Sequence, residues 1–304
     1  MAARTQAGEA RPLQRILLAT DFSTSAKYAR QRVAFLPLAQ AADVDVVHVL
    51  PASLNANSAT LADAATAALR READTLRQAL TERGLAPNIR THLLVGRSFE
   101  CILAHAEGFS AEVIVLGRRG SGSFHALWVG STAERVVRGR IAPVLVVNDE
   151  PTAAYSKPLI AEDVSAPAPV VLQAARRLFP PDLASLHALA VYASPLEGHL
   201  RAQRAAASKL AETLRAAEAK ATRQALKRYL DQGLPADTRV RLSVRQGDAR
   251  GVIEAACRRL KPDLLILGTH ARKGLERFLL GSVALDVLRS SERDVLMVPR
   301  DLAS

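Results

Sequence analysis

Closely spaced glycines followed by hydroxyl residues are the part of this sequence with the clearest chemical potential. The run from Gly117 to Gly120 is followed, after nine residues, by Gly130, Ser131 and Thr132. Glycine lets a ligand approach backbone N–H groups closely, and a helix start offers unpaired N–H groups with partial positive charge. The spacing therefore predicts a loop and a helix start that wrap a phosphate group.

The same pattern returns 151 residues later in the chain. Gly268 begins the second run, and Gly281 and Ser282 close it. Ala271 replaces the second glycine of the motif, and its methyl group disfavours positive φ. We therefore expect phosphate binding principally in the first copy, and we leave open whether the second copy is occupied.

An aspartate follows the first apolar run of each copy, Asp21 in the first and Asp163 in the second. A carboxylate at this position is consistent with a ligand contact at the edge of a sheet. It is equally consistent with a cap on the helix that follows. The sequence alone leaves both interpretations open.

Helix capping also competes with phosphate binding at the second half of the glycine motif. Ser131 and Glu134 have the spacing of a capping box, with Ser131 as the N-cap and Glu134 reaching back to it. Such a serine stabilises a helix whether or not phosphate is present. Arg118 and Arg119 fit either phosphate contacts or solvated surface charge.

Apolar, β-branched runs alternate with alanine-rich stretches of helical period, which predicts βα units that feed a parallel sheet. The expected strands of the first copy are Arg15–Thr20, Asp45–Leu50, Ile89–Val95, Val113–Gly117 and Val144–Asn148. The expected helices are Ser23–Ala41, Thr60–Arg83, Ser98–Phe109 and Ser131–Arg138. Strands that are apolar at nearly every position are covered on both faces. We therefore expect an α/β fold in which each copy is an α/β/α sandwich around a five-stranded parallel sheet.

The second copy repeats this scheme, and the chain divides into expected domains at residues 1–150 and 155–304. Its strands are expected near Leu159–Glu162, His187–Tyr192, Arg239–Arg245, Leu264–Gly268 and Val295–Val298, with a long helix from about Glu197 to Leu230. The final strands, Pro143–Asn148 and Asp294–Pro299, are candidate sheet edges. Through them we expect the copies to pair as an intramolecular pseudo-dimer, and we leave open whether two chains then form a homodimer.

Candidate binding residues fall at the carboxyl ends of the expected strands. Asp21, Val49, Gly96 and Gly117 all lie at or just after such ends. In sheets of this kind ligands bind beyond the carboxyl ends, where the strand order reverses. The sequence therefore places these residues around one crevice.

Composition and charge bear on which classes of partner the chain can bind. The net charge of +11 would suit nucleic acid, but aromatic residues are only 4% of the chain, which argues against a stacking platform for single strands. A solvated helix face explains the basic stretch 199–230. The two cysteines have no metal or redox spacing, and no apolar run approaches the length of a membrane span. We expect a cytoplasmic protein without membrane or nucleic-acid partners.

Catalytic motifs are missing from the sequence. It has no phosphate-loop NTPase run, no serine-nucleophile elbow and no metal-binding spacing among its seven histidines. His48 is expected to pack at a strand end, whereas His125 and His270 lie in loops where they could touch a ligand. We therefore assign no catalytic or metal-binding residue and do not expect an enzyme.

At these positions the chain resembles the universal stress protein family, specifically its tandem two-domain members. The resemblance is carried by Asp21 to Ser23, by His48 and Val49, by Gly96 and by the glycine motif, in order and in both copies. It implies two domains of the Rossmann-like, adenine nucleotide alpha hydrolase type. It also implies a regulatory or sensing role in stress responses.

In nucleotide-binding members the resemblance implies ATP at the switch point. It places Asp21 near the adenosine end, the Val49 backbone against the adenine, Gly117 and Gly120 over the ribose and phosphates, and Gly130, Ser131 and Thr132 at the phosphates. The matching positions of the second copy are Asp163, Gly268, Gly281 and Ser282. We expect Mg²⁺ to accompany the triphosphate, because that cation bridges phosphates while it keeps several waters.

Other functions remain open beside nucleotide binding. The alternative is a scaffold whose duplicated sheet serves association and binds no nucleotide. Nucleotide hydrolysis or adenylyl transfer is disfavoured because no activated nucleophile or general base is evident. Nucleic-acid or membrane binding through the basic stretch is the weakest of these hypotheses.

Overall fold

The computed structural model describes residues 10–52, 58–118, 130–164, 168–181, 183, 185–192, 207–234, 238–269 and 281–302 of the 304-residue chain. Several predictions concern residues outside this described part. These are the ones on Arg119, Gly120, His125, His270, Ala271 and the first residues of the long second-copy helix.

Strands and helices alternate within each half of the described chain, and β6 follows β5 directly where the halves join. The strands are β1 (Leu13–Ala19), β2 (Leu38–Leu50), β3 (Asn88–Val95), β4 (Val113–Gly117), β5 (Val144–Val147), β6 (Pro158–Glu162), β7 (Leu186–Tyr192), β8 (Val240–Gln246), β9 (Leu264–Thr269) and β10 (Asp294–Pro299). The helices are α1 (Thr24–Phe35), α2 (Ser58–Glu82), α3 (Ser98–Phe109), α4 (Ser131–Gly139), α5 (Pro169–Arg176), α6 (Ala207–Gly233), α7 (Ala249–Leu260) and α8 (Ser282–Ser290).

All ten strands belong to one sheet, in the order β3-β2-β1-β4-β5-β10-β9-β6-β7-β8. Each half of the chain contributes five strands that pair in parallel, and the first strand of each half lies between its second and fourth. The halves meet at β5 and β10, which pair antiparallel with Leu145 opposite Leu296. The predicted α/β fold with two five-stranded parallel units is confirmed.

Helices cover both faces of this sheet. Alternate residues of β1 point to opposite sides: Ile16 and Leu18 belong to one apolar core, and Leu17 and Ala19 belong to the other. Buried residues of α1, α2, α5 and α6 lie in the first core, and those of α3, α4, α7 and α8 lie in the second. Each core contains residues from both halves of the chain. No helix in the described ranges has the length and apolar character needed to cross a membrane.

The first helix is shorter than predicted. It was expected to reach Ala41, but α1 ends at Phe35 and β2 already begins at Leu38. Pro37 explains the end, because a residue before proline avoids helical angles, and Leu36 is extended with φ −73° and ψ 154°. The alanine-rich start of β2 looks helical by propensity, but pairing of Leu38 with Leu13 places it in the sheet.

Candidate functional site

A cavity of about 330 Å³ opens where the carboxyl ends of β2 and β3 meet the first turns of α3 and α4. Its walls are a short turn after each strand and the start of each helix. The lining residues are Pro51, Ala52, Gly96, Arg97, Ser98, Phe99, Ser131, Thr132 and Arg135. Three of the predicted landmarks, Gly96, Ser131 and Thr132, thus share one cavity.

Two helix starts converge on this cavity without side-chain caps. Arg97 is the N-cap of α3 and Gly130 is the N-cap of α4, and neither residue caps its helix with a side-chain hydrogen bond. The first N–H groups of a helix have no intrahelical acceptor, and they carry the positive end of the helix dipole. Two such starts side by side form a site suited to an anion.

Gly130 has a more limited role than the glycine motif predicted. Its N–H donates to the Arg118 carbonyl oxygen at 2.8 Å, so this amide is already occupied. Its φ of −58° and ψ of 143° are angles that any residue can adopt. The amides that remain at the start of α4 belong to Ser131, Thr132 and Ala133, because the Glu134 N–H already donates to the Gly130 carbonyl oxygen.

The predicted capping box at Ser131 and Glu134 is wrong. Ser131 is the first helical residue rather than the N-cap. Glu134 turns away from the helix start: its carboxylate accepts from Arg138 at 3.0 Å and from Arg289 at 2.8 Å. Burial opposes ionisation, but these hydrogen bonds hold the pKa of Glu134 below its ordinary value. The start of α4 is therefore left for a ligand, and the carboxylate instead links the two halves.

Two arginines give the cavity positive charge. Arg97 is 77% exposed and lies 3.1 Å from the Glu100 carboxylate. Arg135 lies over the Phe99 ring, with its guanidinium carbon 4.9 Å from the ring centroid. The aromatic face orients Arg135 without neutralising it, and a guanidinium forms strong hydrogen bonds to phosphate oxygens.

Gly117 is required by packing at the end of β4. A Cβ atom there would lie 2.5 Å from the Ser25 carbonyl carbon and 2.8 Å from the Ala26 nitrogen. These are backbone atoms in the first turn of α1, which cannot move aside as a side chain would. The glycine therefore lets α1 pack closely on the sheet, and its φ is not in the left-handed region.

Gly96, in the cavity wall, has a backbone conformation that other residues rarely adopt. Its φ is +151°, and an added Cβ would lie 2.8 Å from the Cys101 sulfur. Its N–H donates to the Leu50 carbonyl oxygen at 2.9 Å, which ties the ends of β2 and β3 together. Val49, one residue earlier in β2, is half-buried and packs against the core on the side of α3 and α4.

Asp21 does not itself cap α1. Ser23 is the N-cap, and its hydroxyl accepts from the Ala26 N–H at 3.2 Å. Asp21 accepts instead from the Ser23 N–H at 3.1 Å, so it fixes the residue that caps the helix. Asp21 therefore supports the cap of α1 indirectly, by holding Ser23 in place.

His48 joins the ends of β1 and β2. Its Nδ1 lies 2.8 Å from the Thr20 carbonyl oxygen, and its ring packs 4.4 Å from the ring of Phe22. Phe22 is 37% exposed and has a φ of +63°, which is unusual for a bulky residue. The predicted packing role of His48 thus includes a hydrogen bond that orders this strand edge.

Arg118 does not reach the cavity. It is only 3% exposed, and it donates to the Asn148 side-chain oxygen at 3.0 Å and to the Arg289 carbonyl oxygen at 2.7 Å. Arg289 lies at the end of α8. Both predicted environments of Arg118, phosphate and solvent, are therefore wrong, because the side chain is buried at the junction between the halves.

The second half carries the opposite charge at the positions of the two cavity arginines. Asp248 and Asp286 occupy the positions of Arg97 and Arg135 in the 151-residue repeat. Asp248 caps α7 by accepting from the Gly251 N–H at 2.8 Å. Gly281 is the N-cap of α8 with φ −57° and ψ 132°, so the backbone matches that of the first half, and Ser282 begins the helix. Two aspartates thus stand at the sequence positions of the two arginines, and Asp286 lies 3.9 Å from the Arg250 guanidinium.

The end of β6 also differs from its counterpart. Glu162 replaces Thr20 there, is 4% exposed and pairs with Arg300 at 2.7 Å. Burial raises the pKa of Glu162 to about 7, although Arg300 opposes this. Gly268 packs near the Val171 and Arg300 side chains, and Asp163 is exposed.

Comparison with known proteins identifies this architecture. The model of the universal stress protein family matches the chain twice, at residues 12–148 and 154–299. The chain belongs to the universal stress protein family. A universal stress protein of Thermus aquaticus, described as lying in the QAH/OAS sulfhydrylase 3′ region, is 35% identical over 133 residues, which are 43% of this chain and 96% of that protein.

Solved structures of similar length share the fold of this universal stress protein. One is a protein of unknown function from Pseudomonas aeruginosa PAO1, with TM-score 0.63, 21% identity and coverage of 95% of this chain and 93% of that one. Another is a universal stress protein from Archaeoglobus fulgidus DSM 4304, with TM-score 0.62, 17% identity and coverage of 94% and 98%.

Several site features of this universal stress protein escaped the sequence analysis. Arg97, Phe99 and Arg135 line the cavity but were not predicted as binding residues. The signal was present in the repeat, because Arg97 and Arg135 are matched by aspartates in the second copy. Comparing charges at equivalent positions of the two copies would have found it.

Proposed function

We propose that this universal stress protein binds ATP in its first half and acts as a stress-response regulator or sensor without strong catalysis. The cavity between α3 and α4 carries the proposal. Two uncapped helix starts and two arginines meet there, whereas the second half has two aspartates at the arginine positions. At these two positions the halves thus carry opposite charge, which favours a polyphosphate in the first half.

The cavity chemistry fits the triphosphate of the nucleotide. The Ser131 and Thr132 amides would donate to phosphate oxygens, and Arg135 would add a charged contact. Asp21 and Val49 are proposed for the adenosine end because they lie at the neighbouring ends of β1 and β2. Mg²⁺ is proposed to reach the site with the phosphates, because no carboxylate is among the described lining residues.

The residues that line the cavity also favour a binding function over a catalytic one. Its described residues include serine and threonine hydroxyls but neither an imidazole nor a carboxylate that could act as a general base. A bound nucleotide would therefore persist, as a ligand-sensing role requires.

Isothermal titration of Mg-ATP and of adenosine into the full chain tests the proposal. Arg135→Asp introduces the second-half residue, and we expect it to weaken ATP binding about tenfold or more while adenosine binding changes little. Arg138→Asp is the matched control. It lies one turn further along α4, outside the described cavity lining, and should leave the affinity for ATP near that of the wild type.

Two outcomes would count against ATP binding in the first half. One is an equal loss of affinity in Arg135→Asp and Arg138→Asp, which would indicate a general charge effect. The other is the absence of binding heat in protein shown to be free of nucleotide. That second result would favour the scaffold function, in which the duplicated sheet serves association.

A further inference from the structure

Three metal-binding side chains converge between β2, β3 and α3, away from the proposed nucleotide cavity. They are Asp45, His92 and His105, and their ligand atoms all lie within 4.8 Å of one another. Asp45 Oδ2 is 2.8 Å from His105 Nε2 and 3.1 Å from His92 Nε2. A single carboxylate oxygen thus faces two imidazole nitrogens from different elements.

One ligand atom of this cluster is left without a hydrogen bond in the part of the chain that the structure describes. His92 Nε2 is buried and makes none of acceptable geometry there, although Asp45 Oδ2 lies 3.1 Å away. A buried polar atom without a partner costs free energy. A cation between the three atoms would satisfy His92 Nε2, because a neutral imidazole nitrogen can donate its lone pair to a metal.

Burial and neighbouring charge keep Asp45 suitable as a ligand. Asp45 is 3% exposed. Arg90 Nε lies 2.8 Å from its Oδ1, so a guanidinium group accompanies the carboxylate in this buried position.

We propose that Asp45, His92 and His105 bind one divalent transition-metal ion, with Zn²⁺ as the ion of best fit. Two imidazoles and one carboxylate suit zinc and its neighbours in the first transition row, whereas Mg²⁺ and Ca²⁺ prefer oxygen ligands alone. Ligand atoms around a tetrahedral zinc lie about 3.4 Å apart, given bonds of about 2.1 Å. Metal binding would require the contacts of 2.8 and 3.1 Å to open to that spacing.

Arg90 would support the ion from outside the ligand set. Its Nε donates to the other oxygen of Asp45, Oδ1, at 2.8 Å, which leaves Oδ2 directed at the imidazoles. Hydrogen bonds of this kind orient a metal-binding carboxylate. The side chains of His92 and His105 are 31% and 18% exposed, so solvent can supply the fourth ligand.

The second half lacks this donor set at the equivalent positions. Strand register places His187 at the position of Asp45, and the 151-residue repeat places Ser243 and Ala256 at those of His92 and His105. Arg241 is retained opposite His187, as Arg90 is opposite Asp45. The repeat therefore supplies an internal control: the same backbone with one histidine and no carboxylate.

Equilibrium dialysis of the full chain against zinc, after removal of metal with a chelator, tests the proposal. We expect one strongly bound zinc per chain, and a loss of affinity of about tenfold or more in His105→Ala. His187→Ala, which removes a histidine from the equivalent region of the second half, should bind zinc as the wild type does. Cobalt substitution should give the visible absorption of a low-symmetry nitrogen and oxygen site.

The opposite results would overturn the metal site. If the wild type binds no zinc above the level of the His105→Ala variant, the three side chains form only an ion-pair cluster. Equal losses in His105→Ala and His187→Ala would indicate weak surface binding instead. Far-ultraviolet circular dichroism of each variant confirms that the chain is folded, and His92→Gln provides a second variant at a more exposed ligand.

Discussion

At the scale of single residues, glycines in this protein are required for two different reasons that the sequence does not distinguish. Gly96 needs a φ of +151°, whereas Gly117 needs the absence of a side chain, because the backbone of α1 lies against it. Gly117 lies at the strand end that the sequence predicted, and the phosphate-binding role of the glycine motif stays a prediction. The reason for a glycine at this position was only partly predictable, since its close contact with α1, far earlier in the chain, depends on the tertiary fold.

Replacement of Gly117 by alanine should destabilise the chain by about 1–3 kcal/mol, because the added Cβ would overlap backbone atoms of α1. Urea denaturation measures this change. Gly108→Ala is the control: nothing lies within 4 Å of its added Cβ, and alanine in a helix should stabilise by about 0.5–1 kcal/mol. Equal stability of Gly117→Ala and the wild type would contradict the packing explanation.

Glu162 should make stability depend on pH. Its pKa is raised from the ordinary 4.5 to about 7 in the folded chain, so the native state retains a proton that the unfolded state loses. The stabilisation from this proton is complete below pH 4.5 and is lost as the pH rises through about 7. Over that window the free energy of unfolding should fall by on the order of 1 kcal/mol per pH unit.

Urea denaturation at about pH 5 and about pH 8 tests the Glu162 prediction. Glu162→Gln should remove much of the decrease in stability between these conditions, whereas Glu82→Gln, at an exposed helix position, should not. A decrease in Glu162→Gln as large as that of the wild type would show that the ion pair with Arg300 keeps Glu162 ionised throughout.

At the scale of elements, the starts of α4 and α8 show how one backbone serves two different sites. Gly130 and Gly281 have nearly the same φ and ψ, and both helices begin without a side-chain cap. The difference lies in the neighbouring charges, with Arg135 in one half and Asp286 in the other. A helix start alone therefore does not define the site, and the charges around it decide which anion can approach.

Gly130→Asp should separate helix capping from nucleotide binding. The backbone angles admit aspartate, whose carboxylate would cap α4 and occupy the amides that we assign to phosphate. We expect the melting temperature to be retained or slightly raised, while ATP affinity falls about tenfold or more. Isothermal titration and thermal unfolding measure the two effects.

Gly281→Asp is the matched control, because it makes the same change at the equivalent helix start of the second half. It should leave ATP affinity near the wild-type value. A loss in Gly281→Asp as large as that in Gly130→Asp would place the nucleotide in both halves or in the second. No loss in either variant would remove α4 from the site.

Elements with regular patterns were predictable, and those shaped by distant contacts were not. The bounds of α3 and β4 agree with the prediction because apolar periodicity and strand burial are local signals. The early start of β2 was missed, since its alanine-rich segment is held by pairing with β1. The capping box failed because Arg289, from the other half, draws Glu134 away from the helix start.

At the scale of the whole molecule, a buried carboxylate at the β5–β10 junction contacts residues of both halves. Asp294 accepts from Arg32 at 3.1 Å, from the Tyr155 hydroxyl at 2.7 Å and from the Asn148 N–H at 2.8 Å. Arg32 also lies over the Tyr155 ring, with its guanidinium carbon 4.1 Å from the centroid. Arg32 comes from the first half and Asp294 from the second, so this cluster couples their stabilities.

Arg32→Ala should destabilise the chain by about 3–5 kcal/mol, because it leaves the buried Asp294 carboxylate without its cation. Arg77→Ala removes an arginine whose ion pair with Asp74 is exposed, and it should change stability by less than about 1 kcal/mol. Chemical denaturation of both variants gives the comparison. Similar small losses in the two would contradict a central role for the junction.

The repeat made the large-scale architecture predictable, whereas contacts between residues far apart in the sequence could not be predicted. Duplicated βα units imply two parallel five-stranded units, as found. The division into domains at residues 1–150 and 155–304 stays a prediction. The convergence of Asp45, His92 and His105 could not be foreseen, because their spacing follows no metal motif and depends on strand register and on the packing of α3.

A crystal structure of the full chain grown with excess Mg-ATP would test the central claim most directly. We expect the triphosphate against the Ser131 and Thr132 amides, within reach of Arg135, and no nucleotide at the start of α8. Nucleotide only in the second half would contradict the proposed function. So would a first-half cavity closed by its own side chains in the presence of excess ATP.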